Sequence, residues 1–127
     1  MMRMPEVASL VLYANDPART GAFYTALGLP LEHEDHGEGP LHLAVELGPV
    51  HVAIYPAEVP GQAPKRRDGG SSFPGFYVES LDEVTARLGE LATPILSGHE
   101  TMPWACRVVV EDPDGRPVEV NQRGHCG

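Results

Sequence analysis

One order of elements occurs twice in this 127-residue chain, and that repetition limits its fold more than any other feature. Each copy reads as a strand, a capped helix and three further strands. The first opens with Val7-Ala8-Ser9-Leu10-Val11-Leu12-Tyr13, an apolar and β-branched run of strand length. It stops at Asn15-Asp16-Pro17. The Asp16 carboxylate can accept free N–H groups of a first helical turn, and Pro17 suits the first helical position, where its missing N–H costs nothing. Ala22, Phe23, Ala26 and Leu27 fall on one helical stripe, and Gly28 is a natural C-terminal cap. Three strands follow, near Leu31 to Glu34, over Leu41 to Leu47 and over Val50 to Tyr55, with Gly48-Pro49 as the turn between the last two.

The second copy starts at Phe73 to Val78. Ser80-Leu81-Asp82-Glu83 is a capping box, and Leu81, Val84, Leu88 and Leu91 form the stripe of a second helix. Pro94-Ile95-Leu96, Arg107 to Glu111 and Pro117 to Asn121 are its strands, and Asp112-Pro113-Asp114-Gly115 is the turn between the last two. Laid over each other, the copies match Tyr13 with Tyr77, Asp16 with Ser80, and Val52-Ala53-Ile54 with Val118-Glu119-Val120. The expected fold is α+β: two βαβββ modules forming a curved mixed sheet around a shared cavity, helices outside. One domain is expected over 1–127, with module one at about 7–55, a linker at about 56–72 and module two at about 73–121. The linker is rich in Pro, Gly and charge, and its Lys65-Arg66-Arg67 reads as a solvated loop face.

Parity along the strands separates a core face from a cavity face. Leu10, Leu12, Leu43, Val45, Val52, Ile54, Phe76, Val78, Val118 and Val120 belong under the helices. Ser9, Val11 and Tyr13, His42, Ala44 and Glu46, His51, Ala53 and Tyr55, Phe73 and Tyr77, and Glu119 and Asn121 face the cavity. The strands alternate rather than forming solid apolar runs because one face of each sheet is left open. Ser9, Tyr13, His42, His51, Tyr55, Phe73, Tyr77, Trp104, Arg107, Glu119 and Asn121 are the candidate ligand-binding residues. An apolar lining with a few placed polar groups suits a small molecule, and the rings suit a planar aromatic or cationic one. Glu119 has a plainer reading as the partner of Arg107, and His51 as a group bonded to its neighbours.

The formal net charge of -9 argues against nucleic acid and against an anionic membrane surface. No window is apolar enough to span a bilayer, and the N-terminus has no signal-like apolar core. Cys106 and Cys126 make no zinc-site spacing; a bridge between them is possible but not implied, and a reduced, cytoplasmic protein is the plain reading. His99 and His125 read as solvent-exposed.

Asn15-Asp16-Pro17 leading to Phe23-Tyr24 and Leu27-Gly28-Leu29, together with Glu111-Asp112-Pro113-Asp114-Gly115 and Val118-Glu119-Val120, resembles the vicinal oxygen chelate superfamily. That group includes glyoxalase I, extradiol dioxygenases, fosfomycin-modifying transferases and bleomycin-resistance proteins. The resemblance covers about Val7 to Asn121. It implies metal-ligand positions on the first and last strands of each half, which fall here on Ser9, Ala53, Phe73 and Glu119. Only Glu119 is a plausible ligand, and a catalytic metal normally needs about three protein ligands. The resemblance therefore points to a protein with no cofactor, closest in character to the metal-free bleomycin-resistance branch: a homodimer that sequesters an antibiotic or other natural product. A displaced site built from Glu119, His51 and His42 is the alternative. It would go with lyase, isomerase or dioxygenase chemistry, or with Glu119 and His51 as catalytic acid and base without metal. A module that uses the fold without a ligand is a third reading.

Overall fold

The computed structural model describes residues 3–34, 42–58, 63, 71–103 and 105–124. Trp104, the Lys65-Arg66-Arg67 triplet, His125 and Cys126 lie outside the described residues. The elements run β1 (Ser9–Ala14), α1 (Pro17–Leu27), β2 (Glu32–Glu34), β3 (His42–Leu47), β4 (Val50–Pro56), β5 (Gly75–Tyr77), α2 (Leu81–Glu90), β6 (Ile95–Met102), β7 (Ala105–Glu111) and β8 (Pro117–Arg123). The expected α+β pair of βαβββ modules is what forms. Its strands make two separate mixed sheets of four, ordered β1-β4-β3-β2 and β5-β8-β7-β6, and the sheets do not close. In each, the first strand pairs parallel with the last, and the remaining pairs are antiparallel.

Both helices start as their caps dictate. The Asp16 side chain accepts from the Arg19 N–H, and Ser80 accepts from Glu83. Gly28 closes α1 in the left-handed region at φ 113°, where a side chain is strained. The buried face of α1 is rotated from the expected stripe. It consists of Thr20, Gly21, Phe23, Tyr24 and Leu27, while Ala22 is exposed. The cause is polar: Thr20 and Tyr24 have buried carboxylate partners, so they turn inward although hydropathy alone would turn them out. Leu91 is likewise exposed, lying at the C-terminal cap of α2.

Module two departs from expectation at β5 and β6. β5 is only Gly75–Tyr77, so Phe73 precedes the strand. β6 runs to Met102, well past the expected Pro94-Ile95-Leu96. Register shifts between Ile95 and Ser97 and between Ser97 and Glu100 break the alternation there, which removes the period-two signal. The residues assigned to the core face do pack in one cluster spanning both modules. Leu12, Val52, Ile54, Val118 and Val120 are buried, with Leu10, Leu43, Val45, Phe76 and Val78 packed against them. Cys106 is buried in the same cluster and is disulfide-bonded, which corrects the reduced reading. No helix among the described residues is long and apolar enough to cross a membrane.

The β7–β8 turn joins the modules through charge. Asp112, Asp114 and Arg116 are each only 3% exposed. Arg116 Nη1 donates to Asp112 Oδ2 at 3.0 Å and to Asp114 Oδ2 at 3.3 Å, and Nη2 donates to the Tyr13 carbonyl of β1. Asp114 also accepts from the Asn15 N–H at 2.8 Å and the Thr20 hydroxyl at 2.6 Å, and Asp112 accepts from the Tyr24 hydroxyl at 2.7 Å. Burial, then the Asp112 charge, pushes the Tyr24 phenol well above its ordinary value and keeps it a neutral donor. The Asn15 side chain in turn accepts from the N–H of Ala63, which ties the segment between the modules to the same point.

Removing one partner of a buried ion network strands the other charges. Arg116→Met is expected to destabilise the fold by about 3–5 kcal/mol. Tyr24→Phe leaves Asp112 Oδ2 with Arg116 and is expected to cost about 1 kcal/mol. Urea unfolding of both variants measures this, and an equal loss for the two would contradict the ranking.

Candidate functional site

The inner face of the first sheet is the one turned away from α1. Hydrogen-bonded register sets His42 of β3 opposite Glu34 of β2 and Glu46 of β3 opposite His51 of β4, so their side chains share this face. Here His51 Nδ1 bonds Glu46 Oε1. The same Glu34 oxygen lies 3.8 Å from His42 Nε2 and 3.9 Å from His51 Nε2. The His42 ring stacks on Tyr55 with centroids 4.0 Å apart and planes 14° apart, and Tyr55 meets Tyr13 at 6.4 Å and 47°. Tyr13 is 47% exposed, so the aromatic row opens to solvent. His51 is held charged to higher pH than a free histidine, chiefly by its bond to Glu46, with Glu34 adding to the effect.

The second sheet presents a different face. Arg107 of β7 is clamped between Glu100 of β6, at 3.0 Å, and Glu119 of β8, at 2.8 Å. Bonding to Glu100, then Glu119, makes the guanidinium still harder to deprotonate. The other Glu119 oxygen accepts from Asn121 Nδ2 at 2.8 Å, and Asn121 also donates to the Phe76 carbonyl. The Arg123 guanidinium lies 3.8 Å over the Tyr77 ring, a cation–π contact that no sequence pattern flagged.

The candidates thus fall into two groups. Tyr13, His42, His51 and Tyr55 come together on the first sheet, with Ser9 on the same strand face as Tyr13. Arg107, Glu119 and Asn121 come together on the second, with Tyr77 beside Arg123. The hydrogen bonds and ring contacts described for these side chains stay within their own sheet. Phe73 is 59% exposed ahead of β5, and Trp104 lies outside the described residues. Glu119 and His51, which the alternative reading pairs as acid and base, lie on different sheets, and each has its own partners. Sequence reasoning missed Glu34, whose strand gives too short a pattern to read, and Glu100 and Arg123.

A metal finds a poor fit. Among the described residues no group of three or more His, Cys, Asp or Glu is placed to hold one. Ser9 sits opposite His51 in the β1–β4 register, and Val11, not a ligand, faces Ala53. Glu119 faces Gly75 across β5–β8 and is already bonded to Arg107 and Asn121. His51 and His42 lie on the first sheet and Glu119 on the second, so the displaced trio is not assembled either.

The model of the Glyoxalase/Bleomycin resistance protein/Dioxygenase superfamily matches residues 6–120. No curated protein matches the sequence. Among solved structures, the antibiotic binding protein TnmS3 from Streptomyces sp. CB03234 is similar at 22% identity and TM-score 0.70, covering 98% of this chain and 100% of its own. The oxidase ChaP-H2 is similar at 16% identity and TM-score 0.73, with 97% of each chain covered. Lactoylglutathione lyase from Agrobacterium tumefaciens is similar at 21% identity and TM-score 0.63, covering 95% of this chain and 96% of its own. At these identities the likeness is one of fold.

The Glu46 bond is expected to set the His51 titration. By NMR, His51 should titrate above about 6.5, and Glu46→Gln should lower its midpoint. A raised folded-state value stabilises the fold fully below the unfolded value and is lost as pH rises through the folded value. Any stability gap between Glu46→Gln and wild type should therefore be present in acid and close above the wild-type His51 midpoint. An unchanged midpoint would contradict the assignment.

Proposed function

The chain belongs to the Glyoxalase/Bleomycin resistance protein/Dioxygenase superfamily, and from that premise we propose that it is a metal-free small-molecule binding protein. One observation carries the reading: the inner faces expose aromatic rings beside placed polar groups, while their acidic and imidazole side chains are bonded to one another. Tyr13 and Tyr55 offer ring surface on one sheet, where the buried His42 ring stacks on Tyr55, and Tyr77 on the other. Such surfaces suit a planar aromatic or cationic ligand. TnmS3, an antibiotic binding protein, shares the fold, and the ligand proposed for this chain is an antibiotic or other natural product, sequestered rather than altered.

The protein acts as a homodimer in this reading. Tyr13 and Tyr77 are 47% and 58% exposed, and Val11 is exposed beside Tyr13. A second copy that covers these faces completes the ligand sites and removes the apolar surface from water. The second reading, catalysis, is favoured by one observation: Glu46 orients the His51 imidazole as a carboxylate orients a general base. The fold similarity to a lyase and an oxidase fits it equally well.

A thermal-shift screen of planar and cationic natural products is expected to give saturable binding, with the ligand recovered chemically unchanged. Tyr55→Ala should weaken it about two- to tenfold, the scale of one lost ring contact. Glu119→Gln should also cost less than about tenfold, since its carboxylate serves Arg107. Conversion of the ligand, abolished by His51→Gln, would establish the catalytic reading instead. Sedimentation at micromolar concentration is expected to show a dimer.

A further inference from the structure

A cavity of about 220 Å³ lies on the helix side of the molecule, away from both inner faces. It opens between α1, the chain that leaves α2 and the β7–β8 turn, so both modules line it. Phe23, Leu91 and Pro94 give it apolar walls, and Arg19, Glu111 and Asp112 are its charged groups. The wall that follows α2 is pinned by hydrogen bonds. The Ala92 N–H donates to the Gly89 carbonyl at 3.0 Å, the Thr93 N–H to the Leu88 carbonyl at 3.1 Å, and the Glu111 N–H to the Pro94 carbonyl at 3.0 Å. In the duplicated plan Ala92 stands where α1 has Gly28, at the same spacing that aligns Tyr13 with Tyr77 and Asp16 with Ser80. Gly28 takes φ 113° freely, whereas Ala92 holds φ 55°, a left-handed conformation that disfavours a side chain. Backbone strain of this kind clusters at ligand sites. The strained Ala92 and the 45% exposed Leu91 both belong to the cavity wall.

The charges in the wall select the occupant. Asp112 is held by Arg116 and Tyr24, and Glu111 is not without a partner. Arg107 and Arg116 are bonded to carboxylates, and Arg87 donates to the Ala26 carbonyl. The Arg19 guanidinium, by contrast, has no hydrogen-bond or ion-pair partner among the described residues, and Asp16, the nearest acid in sequence, serves the Arg19 backbone N–H. A guanidinium matches a carboxylate in geometry and charge. An apolar cavity of about 150 Å³ holds benzene, so this one has room for a single ring and a short acidic arm. We propose that the cavity binds a small arylalkyl carboxylate, with its ring against the apolar wall and its carboxylate on Arg19. The charges of Glu111 and Asp112 limit the ligand to one acidic group. Asp112 also belongs to the ion network that joins the modules, so an occupant packs against that junction. The site is separate from the inner faces and does not depend on what they bind.

Phenylacetate, phenylacetamide and 2-phenylethylammonium serve as anionic, neutral and cationic probes of similar size, each titrated into the full chain at neutral pH. Phenylacetate at millimolar concentration is expected to shift the amide NMR signals of Ala22, Ala92 and Thr93 saturably, and to bind about tenfold tighter than phenylacetamide. The cation should bind no better than the amide. Arg19→Gln should bring phenylacetate down to the level of the amide and leave the amide unchanged. Arg3→Gln, the same charge change at an exposed position, should alter neither. Ala22→Trp, placed on an exposed position of α1 that lines the cavity, should fill it and abolish binding of phenylacetate and its amide. Tyr55→Ala on the inner face should change nothing. Equal binding of phenylacetate and phenylacetamide, or preference for the cation, would overturn the proposal. So would phenylacetate binding that survives Ala22→Trp, signal shifts confined to the inner faces, or no binding of any probe. None of these results counts against the inner-face reading.

Discussion

Two carboxylates and one guanidinium, buried together at the β7–β8 turn, decide how the halves of this molecule meet. Asp112 and Asp114 are buried in the interior with Arg116 as their shared partner, and Arg116 reaches out of its own module to the Tyr13 carbonyl. Tyr24, Thr20 and the Asn15 N–H of module one also donate to these carboxylates, while the other Asp112 oxygen accepts from the Asp114 and Arg116 N–H groups of its own turn. Apolar packing alone would let the helix-side faces slide, because it has no direction. The ion network supplies direction, and it does so at the end of β1, the strand that carries Tyr13.

The inner faces inherit their placement from this junction. Leu12, Val52, Ile54, Val118 and Val120 are held in one core with Tyr24 and Phe76, so the opposite residues of each strand must face outward. That parity is what gathers Tyr13, Tyr55, His42 and His51 on one surface and Arg107, Glu119 and Asn121 on the other. The two surfaces share an aromatic character but not an electrostatic one. An arginine bonds the carboxylates of the second sheet, whereas imidazoles meet Glu34 and Glu46 on the first.

Much of this was legible in the residues. The duplicated strand–helix–strand order, the Asp16 and Ser80 caps, the Gly28 stop and the core parity of Leu12, Ile54, Val118 and Val120 all follow from local chemistry, which needs only near neighbours in sequence. The pairing of Glu119 with Arg107 was visible as a possibility because both lie on adjacent strands of one hairpin. What was not legible depends on distant partners. Tyr24 and Thr20 turn inward only because Asp112 and Asp114 arrive from the other module, 88 and 94 residues away in sequence. Glu34 joins the histidine pair only through the β2–β3 register. The bulged β6 hid itself by breaking the alternation that marks a strand.

The proposed function requires inner faces that bind a small molecule without a metal. Elemental mass spectrometry tests that most directly, on protein purified without chelator or metal-affinity resin and again after exposure to nickel, cobalt, manganese, zinc and iron(II). The account predicts no stoichiometric metal under any of these conditions. Metal near one per chain would contradict it, and would mean that His42, His51 and Glu119 rearrange into a site that their present partners oppose.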